Sequence, residues 1–186
     1  EVFIHGALCV SHSGQCLFSS VIGGRSGNRG ECAQPCRLPY RTRCAYPLSL
    51  KDLCLAEHIP ALMEGGVTSF KIEGRMKSAE YVYGVVSVYR RLIDEGRGAT
   101  PEEMASLARL FSRSGFTDGY FQGRTGADMF GRRQEGEDTS SLFASARATY
   151  EQGEAQRIGV KFYAILQSGR PAQLAVEDPD GNVCKT

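Results

Sequence analysis

The sequence predicts an α/β fold carrying a cysteine-rich loop, followed by the beginning of a separate β-rich domain. Three observations lead there. Strand-like and helix-like patterns alternate through the first half of the chain. Six of the seven cysteines fall in its first third. After residue 158 the apolar residues switch to strict alternation.

The elements follow in order. Residues 2–4 read as a short apolar strand. Residues 11–47 form a long loop, dense in Gly, Ser, Arg and Cys, whose length calls for a bound centre to organise it. Residues 49–65 read as a helix: Ser49 as cap, Asp52 in the first turn, Leu53, Ile59, Leu62 and Met63 on one face, and Gly65-Gly66 as the stop. Residues 67–72 read as a strand with Val67, Phe70 and Ile72 apolar. A second helix starts at Ser78, runs through Tyr81, Val82, Val85, Val86, Tyr89 and Leu92, and stops at Gly96. Strand, loop, helix, strand, helix favours parallel strands joined by a crossover helix. Thr100-Pro101-Glu102-Glu103 opens a third helix, expected to end near Ser114-Gly115. Residues 116–131, rich in glycine and aromatics, read as an irregular arm. This gives a first domain over 1–131, a polar linker over 132–157, and a truncated β-domain over 158–186, with turns at Ser168-Gly169 and Asp178-Pro179-Asp180-Gly181.

Composition excludes several classes. With 186 residues, 41% hydrophobic and 23% charged, wholesale disorder is excluded. A net charge of +1 rules out a polyelectrolyte mode of nucleic-acid binding and leaves only local patches. No apolar run is long enough to span a bilayer, so no membrane partner is expected. The first residues, Glu-Val-Phe-Ile-His-Gly, lack an initiator Met and a secretion signal. The chain is therefore expected to be a piece of a longer cytoplasmic protein whose missing part is N-terminal and at least domain-sized. Seven cysteines, clustered and odd in number, argue for a metal or iron–sulfur site over a disulfide framework.

Cys9 and Cys16 are separated by six residues, Cys16 and Cys32 by fifteen, and Cys32 and Cys36 by three. Four thiolates in one loop system suit a four-iron–four-sulfur cluster or a structural zinc. Zinc ribbons favour paired two-residue spacings, which leans the reading toward a cluster. Gly23, Gly24, Gly27 and Gly30 let the backbone bend and aim N–H groups at sulfur. Cys54 reads as a buried small hydrophobe, Cys44 as a spare ligand and Cys184 as inert. Arg25, Arg29, Arg37, Arg41 and Arg43 crowd the same loop. They can offset thiolate charge, grip phosphates or carboxylates, or simply be solvated.

Alternation sends Lys71, Glu73 and Arg75 to the face opposite Ile72. Glu73 can serve as acid or base while Lys71 and Arg75 hold an anionic substrate; an ion-pair network is the structural alternative. His5, at the end of the first strand, is a better catalytic candidate than His12. Ser19 and Ser20 lack a strand–turn–helix nucleophile elbow, and His-Glu-x-x-His is absent.

Ala7-Leu8-Cys9, Gly14-Gln15-Cys16, the run Gly23-Gly24-Arg25-Ser26-Gly27-Asn28-Arg29-Gly30, and Cys32-Ala33-Gln34-Pro35-Cys36-Arg37 resemble the signature of peptidase family U32, the collagenase-like peptidases. Ser69-Phe70-Lys71-Ile72-Glu73-Gly74-Arg75-Met76-Lys77 resembles a second hallmark, and the likeness extends over residues 1–131. The resemblance implies the C-terminal portion of a (β/α) TIM-like barrel, with active residues such as His5 and Glu73 at the C-terminal ends of strands. It implies one of two activities. The first is hydroxylation of a pyrimidine base in ribosomal or transfer RNA, linked to a small carboxylate such as prephenate, with a four-iron–four-sulfur cluster on Cys9, Cys16, Cys32 and Cys36. The second is degradation of collagen. Some members replace one of the four ligands. Residues 115–120 and the β-rich start resemble the longer members, which ranks ribosomal RNA cytidine ahead of transfer RNA uridine. Arg25, Arg29 and Arg37 are the expected substrate-binding residues, and a non-catalytic, metal-stabilised RNA-binding module, which the same Arg-rich loop permits, is the third alternative.

Overall fold

A computed structural model of the chain describes residues 1–12, 14–43, 45–74, 77–112, 114–131, 140–152, 159–167, 169 and 171–185. It divides into two compact units, Glu1–Ala148 and Thr149–Thr186.

The first unit is built on a mixed sheet. Strand β1 (Val2–Ala7) lies between β3 (Phe70–Ile72), which is parallel to it, and β2 (Asp52–Cys54), which is antiparallel. Strand β4 (Phe116–Thr117) extends the sheet parallel to β2. The expected parallel pairing of the first and third strands is present. The helix expected over 49–65 is not continuous: its first part is β2, followed by a 3-10 turn (Ala56–His58), and only Ile59–Glu64 (α2) is α-helical. The physical reason is pairing. His5, Gly6 and Ala7 face Cys54, Leu53 and Asp52 in register, and this segment is buried on every side.

Helix α3 (Ala79–Glu95) starts and stops where its sequence directs. Ser78 accepts a hydrogen bond from the Tyr81 N–H at 3.3 Å, and Gly96 takes the left-handed conformation (φ 62°) that ends the helix. Its buried stripe is Tyr81, Val85, Tyr89 and Leu92, one residue per turn on one face. Helix α4 (Pro101–Leu110) carries a full capping box: Glu103 N–H donates to Thr100 Oγ1 at 3.3 Å, and Thr100 N–H donates to Glu103 Oε2 at 2.9 Å. It ends at Leu110, a few residues before the expected stop, and Leu107 and Leu110 point inward. These helices cover Ile4, Leu53, Leu55, Ile59 and Leu62 to make one core. Within the stretch expected as a linker, a further helix, α5 (Ser140–Gln152), packs Phe143 against that core, and its Arg147 donates to the Glu80 carboxylate. A short helix, α1 (Phe18–Gly23), sits in the cysteine loop.

The second unit contains a three-stranded antiparallel sheet in chain order: β5 (Lys161–Ile165), β6 (Gln173–Glu177) and β7 (Val183–Lys185). No described helix is long and apolar enough to cross a membrane.

Candidate metal centre

The cysteine loop leaves the sheet at the C-terminal end of β1. Gly6 is required there. Its φ is 123°, and a Cβ would lie 2.6 Å from Glu73 Cβ and 2.8 Å from the Glu73 carbonyl. That close approach joins the end of β1 to the residue after β3, and the Glu73 N–H donates to the His5 carbonyl at 2.8 Å. Glu73 thus stands beside the strand end that leads to Cys9.

Beyond Cys9 the loop folds back through local hydrogen bonds. Helix α1 closes on Gly24 (φ 65°), and a 3-10 turn (Gly27–Arg29) closes on Gly30 (φ 83°). Ser19, buried at 2% exposure, accepts the Ala33 N–H at 3.0 Å and so ties α1 to the segment between Cys32 and Cys36. Phe18 stacks on Tyr40 at 6.1 Å between ring centroids, and the Tyr40 hydroxyl donates to the Pro35 carbonyl at 2.9 Å. Gly27 lies against the Cys32 side chain and the Cys16 carbonyl, so these two cysteines flank one glycine.

Cys9 and Cys32 are exposed, and Cys16 and Cys36 half-buried. Burial pushes the Cys36 thiol upward in pKa; Arg37 opposes this, and Cys9, Cys32 and Cys16 each add to it. Cys9, Cys16 and Cys32 each therefore lie within electrostatic reach of Cys36. Among the described residues, no three His, Cys, Asp or Glu side chains converge closely enough to hold a single metal ion. Gln34, between Cys32 and Cys36, adopts the left-handed conformation (φ 56°), rare for a residue with a Cβ, and its N–H donates to Cys32 Sγ at 3.3 Å. A backbone donor aimed at sulfur and a set of four soft donors fit an iron–sulfur cluster. Cys44 lies outside the described residues.

The other expected site residues separate. Arg25 and Arg29 are exposed on the loop. Arg37 is half-buried, with its guanidinium on oxygens of its own chain: the carbonyls of Leu8 and Leu50, and Ser49 Oγ at 3.3 Å. Lys71 lies beside Phe3 in the first half of β1, paired with Glu1 at 3.0 Å, and is not brought to the cysteines. Arg75 lies outside the described residues.

His5 is an interior residue, 1% exposed. The Tyr89 hydroxyl donates to the Ile4 carbonyl at 3.0 Å, so the 3.2 Å contact with His5 Nδ1 is one in which the imidazole donates. Burial lowers the His5 pKa to about 4, with Asp52 opposing and Lys77 assisting. His5 is thus a neutral imidazole held among Tyr81, Tyr89 and Phe116. Cys54 is buried as expected, on a strand instead of a helix, with Sγ 3.5 Å from the Tyr89 hydroxyl. Sequence reasoning missed Asp52 and Tyr89 as partners of His5, and Ser19 and Ser49 as anchors of the loop. Short buried polar residues give no periodic signal, and only the sheet pairing brings them together.

Comparison with known proteins gives three kinds of relative. The sequence profile described as peptidase family U32 matches residues 1–130. The 23S rRNA 5-hydroxycytidine C2501 synthase of Escherichia coli is 45% identical over 130 residues, which cover 65% of this chain and 19% of that protein. The tRNA hydroxylation protein P1 of Bacillus subtilis is 39% identical over 154 residues, 70% of this chain and 36% of that one. A collagenase of Porphyromonas gingivalis is 35% identical over 182 residues, 89% and 43% of the two chains. The chain spans less than half the length of each of these relatives. No solved structure matches it.

Proposed function

The chain belongs to peptidase family U32, and from that premise we propose that it is part of an iron–sulfur enzyme hydroxylating a pyrimidine base in RNA, ribosomal RNA cytidine ahead of transfer RNA uridine. The observation that carries the reading is the placement of Cys9, Cys16, Cys32 and Cys36 in one glycine-rich loop that leaves the C-terminal end of β1. The relative named as a ribosomal RNA 5-hydroxycytidine synthase supports the choice of base.

Cys9, Cys16, Cys32 and Cys36 would hold the cluster. A single zinc ion draws four sulfurs to within about 3.8 Å of each other. A four-iron–four-sulfur cluster would take its thiolates on separate irons and so would not draw the sulfurs to one point. Bound, a four-iron–four-sulfur cluster supplies one-electron redox chemistry at the loop. The chain's own residues prepare the place: Gln34 donates to Cys32 Sγ, and exposed Arg25 and Arg29 offer guanidiniums to RNA phosphates or to a small carboxylate such as prephenate. Glu73, whose backbone is fixed beside Gly6 at the end of β1, is the proposed acid or base. The parallel β1–β3 pair and the helix after it support a (β/α) barrel as the parent fold, with β2 as an antiparallel departure.

The collagenase-named relative favours a second reading, peptide hydrolysis. Ser19 does not supply its nucleophile. Ser19 is buried and accepts a backbone N–H. The His58–Asp118 pair, 2.8 Å apart, follows the C-terminal end of β2, at the opposite end of the sheet from Cys9.

The test has two arms. Protein purified without oxygen should be brown, with iron and sulfide in equal amounts, and Cys16→Ser or Cys32→Ser should abolish the colour. Nucleosides from a deletion strain should lack one hydroxypyrimidine, restored by the wild-type gene and not by either variant. A colourless zinc protein, or unchanged hydroxycytidine and hydroxyuridine, would refute the proposal.

A further inference from the structure

We propose that Arg37 is the positioning residue that holds the Cys9 and Cys36 segments at the separation a cluster needs; this rests on the iron–sulfur reading of the same loop. Arg37 directly follows Cys36 in the 3-10 turn Pro35–Arg37. Its Nη2 donates to the carbonyl of Leu8, the carbonyl of the peptide bond to Cys9. Its Nη1 donates to the Leu50 carbonyl and lies 3.3 Å from Ser49 Oγ. Ser49 and Leu50 are 3% and 4% exposed, so the third point of attachment is the core itself.

One side chain thus joins three segments far apart in sequence. Among the described residues, the stretch from Leu8 to Arg37 is also held by short-range turns and by the Ser19–Ala33 and Phe18–Tyr40 contacts. Closing a loop of that length costs entropy, and a fork with two donors facing different segments offsets it at one position. The arginines of the loop divide accordingly. Arg25 and Arg29 face solvent, where an anionic ligand can reach them, whereas Arg37 turns inward onto carbonyls. A lysine keeps the charge but has a single nitrogen and no planar fork. Geometry, not charge, is therefore the property the position requires.

Arg37→Lys and Arg37→Gln separate the two. In protein purified without oxygen, both variants should lose at least fivefold of the iron and sulfide bound per chain, and the residual cluster should show altered EPR g-values on reduction. In the iron-free protein, bridging of Cys9 to Cys36 by dibromobimane, followed by peptide mass spectrometry, should slow at least fivefold in both. Ser49→Ala removes one acceptor and leaves the guanidinium in place, so its bridging rate should be intermediate. Wild-type iron content and bridging in Arg37→Lys would overturn the proposal, since charge alone would then suffice. If the Arg37 variants do not fold, a wild-type bridging rate in Ser49→Ala overturns it. A wild type that binds no iron, yet loses its bridging in Arg37→Lys, would refute the iron–sulfur reading and leave the clamp standing.

Discussion

At His5, burial and charge act on one imidazole in opposite directions. Burial prevails and lowers its pKa from 6.5 to about 4, although Asp52 favours the cation. Lys77 sides with burial, and the remaining neighbours, Tyr81, Tyr89 and Phe116, bring rings and one hydroxyl. The unfolded chain binds this proton near pH 6.5 and the folded chain only near pH 4, so between those values unfolding takes up a proton. The contribution is full above pH 6.5 and is lost as the pH falls toward 4, amounting to about 3 kcal/mol. Urea unfolding followed from pH 8 to 4 should show this loss in the wild type and a shallower one in His5→Phe. Equal slopes would mean that the imidazole is not held neutral. This residue was visible in the sequence only as a histidine at a strand end. Its role came from Tyr89, 84 positions away, which no local pattern connects to it.

At the scale of elements, α3 and the start of α4 were legible, whereas α1, α5 and the strands β2 and β4 were not. Ser78 and Gly96 bound α3, and Thr100 with Glu103 opens α4, because capping depends on residues within one turn. Thr100→Ala removes the acceptor for the Glu103 N–H and should cost about 1 kcal/mol. For a chain of this size that is a fall of roughly 2–4 °C in melting temperature. Thr100→Ser should restore most of it, and differential scanning calorimetry decides the matter; an unchanged Thr100→Ala would remove the cap from the account. Strand β2 was hidden because three residues are too few to display a period. Leu53, Ile59 and Leu62 also share a helical spacing. Pairing with β1 overrides that local preference, and Cys54 is buried in consequence.

For the whole molecule, a net charge of +1 excludes the overall field as a source of RNA affinity, so the proposed function requires a local patch, and the arginine loop is the one proposed. If Arg25 and Arg29 each neutralise one phosphate, the double variant Arg25→Gln, Arg29→Gln should flatten the slope of log K against log salt by about 1.5. Fluorescence anisotropy with a single-stranded ribosomal RNA fragment over a salt series measures it, and an unaltered slope would place the contacts elsewhere. By itself the sequence determined the α/β character of the first unit, the alternating strands of the second, both ends of α3 and the start of α4, and which four cysteines belong to one loop. Those features depend on residues close together in the chain, through turn chemistry, capping and periodicity. Only the tertiary structure decided that the second strand runs antiparallel, that His5 is a neutral core residue, that Lys71 lies away from the cysteines, and that Arg37 grips carbonyls while Arg25 and Arg29 face solvent. Each of these is set by what packs against a side chain from tens of residues away, and the energy of that contact exists only once the chain has closed on itself.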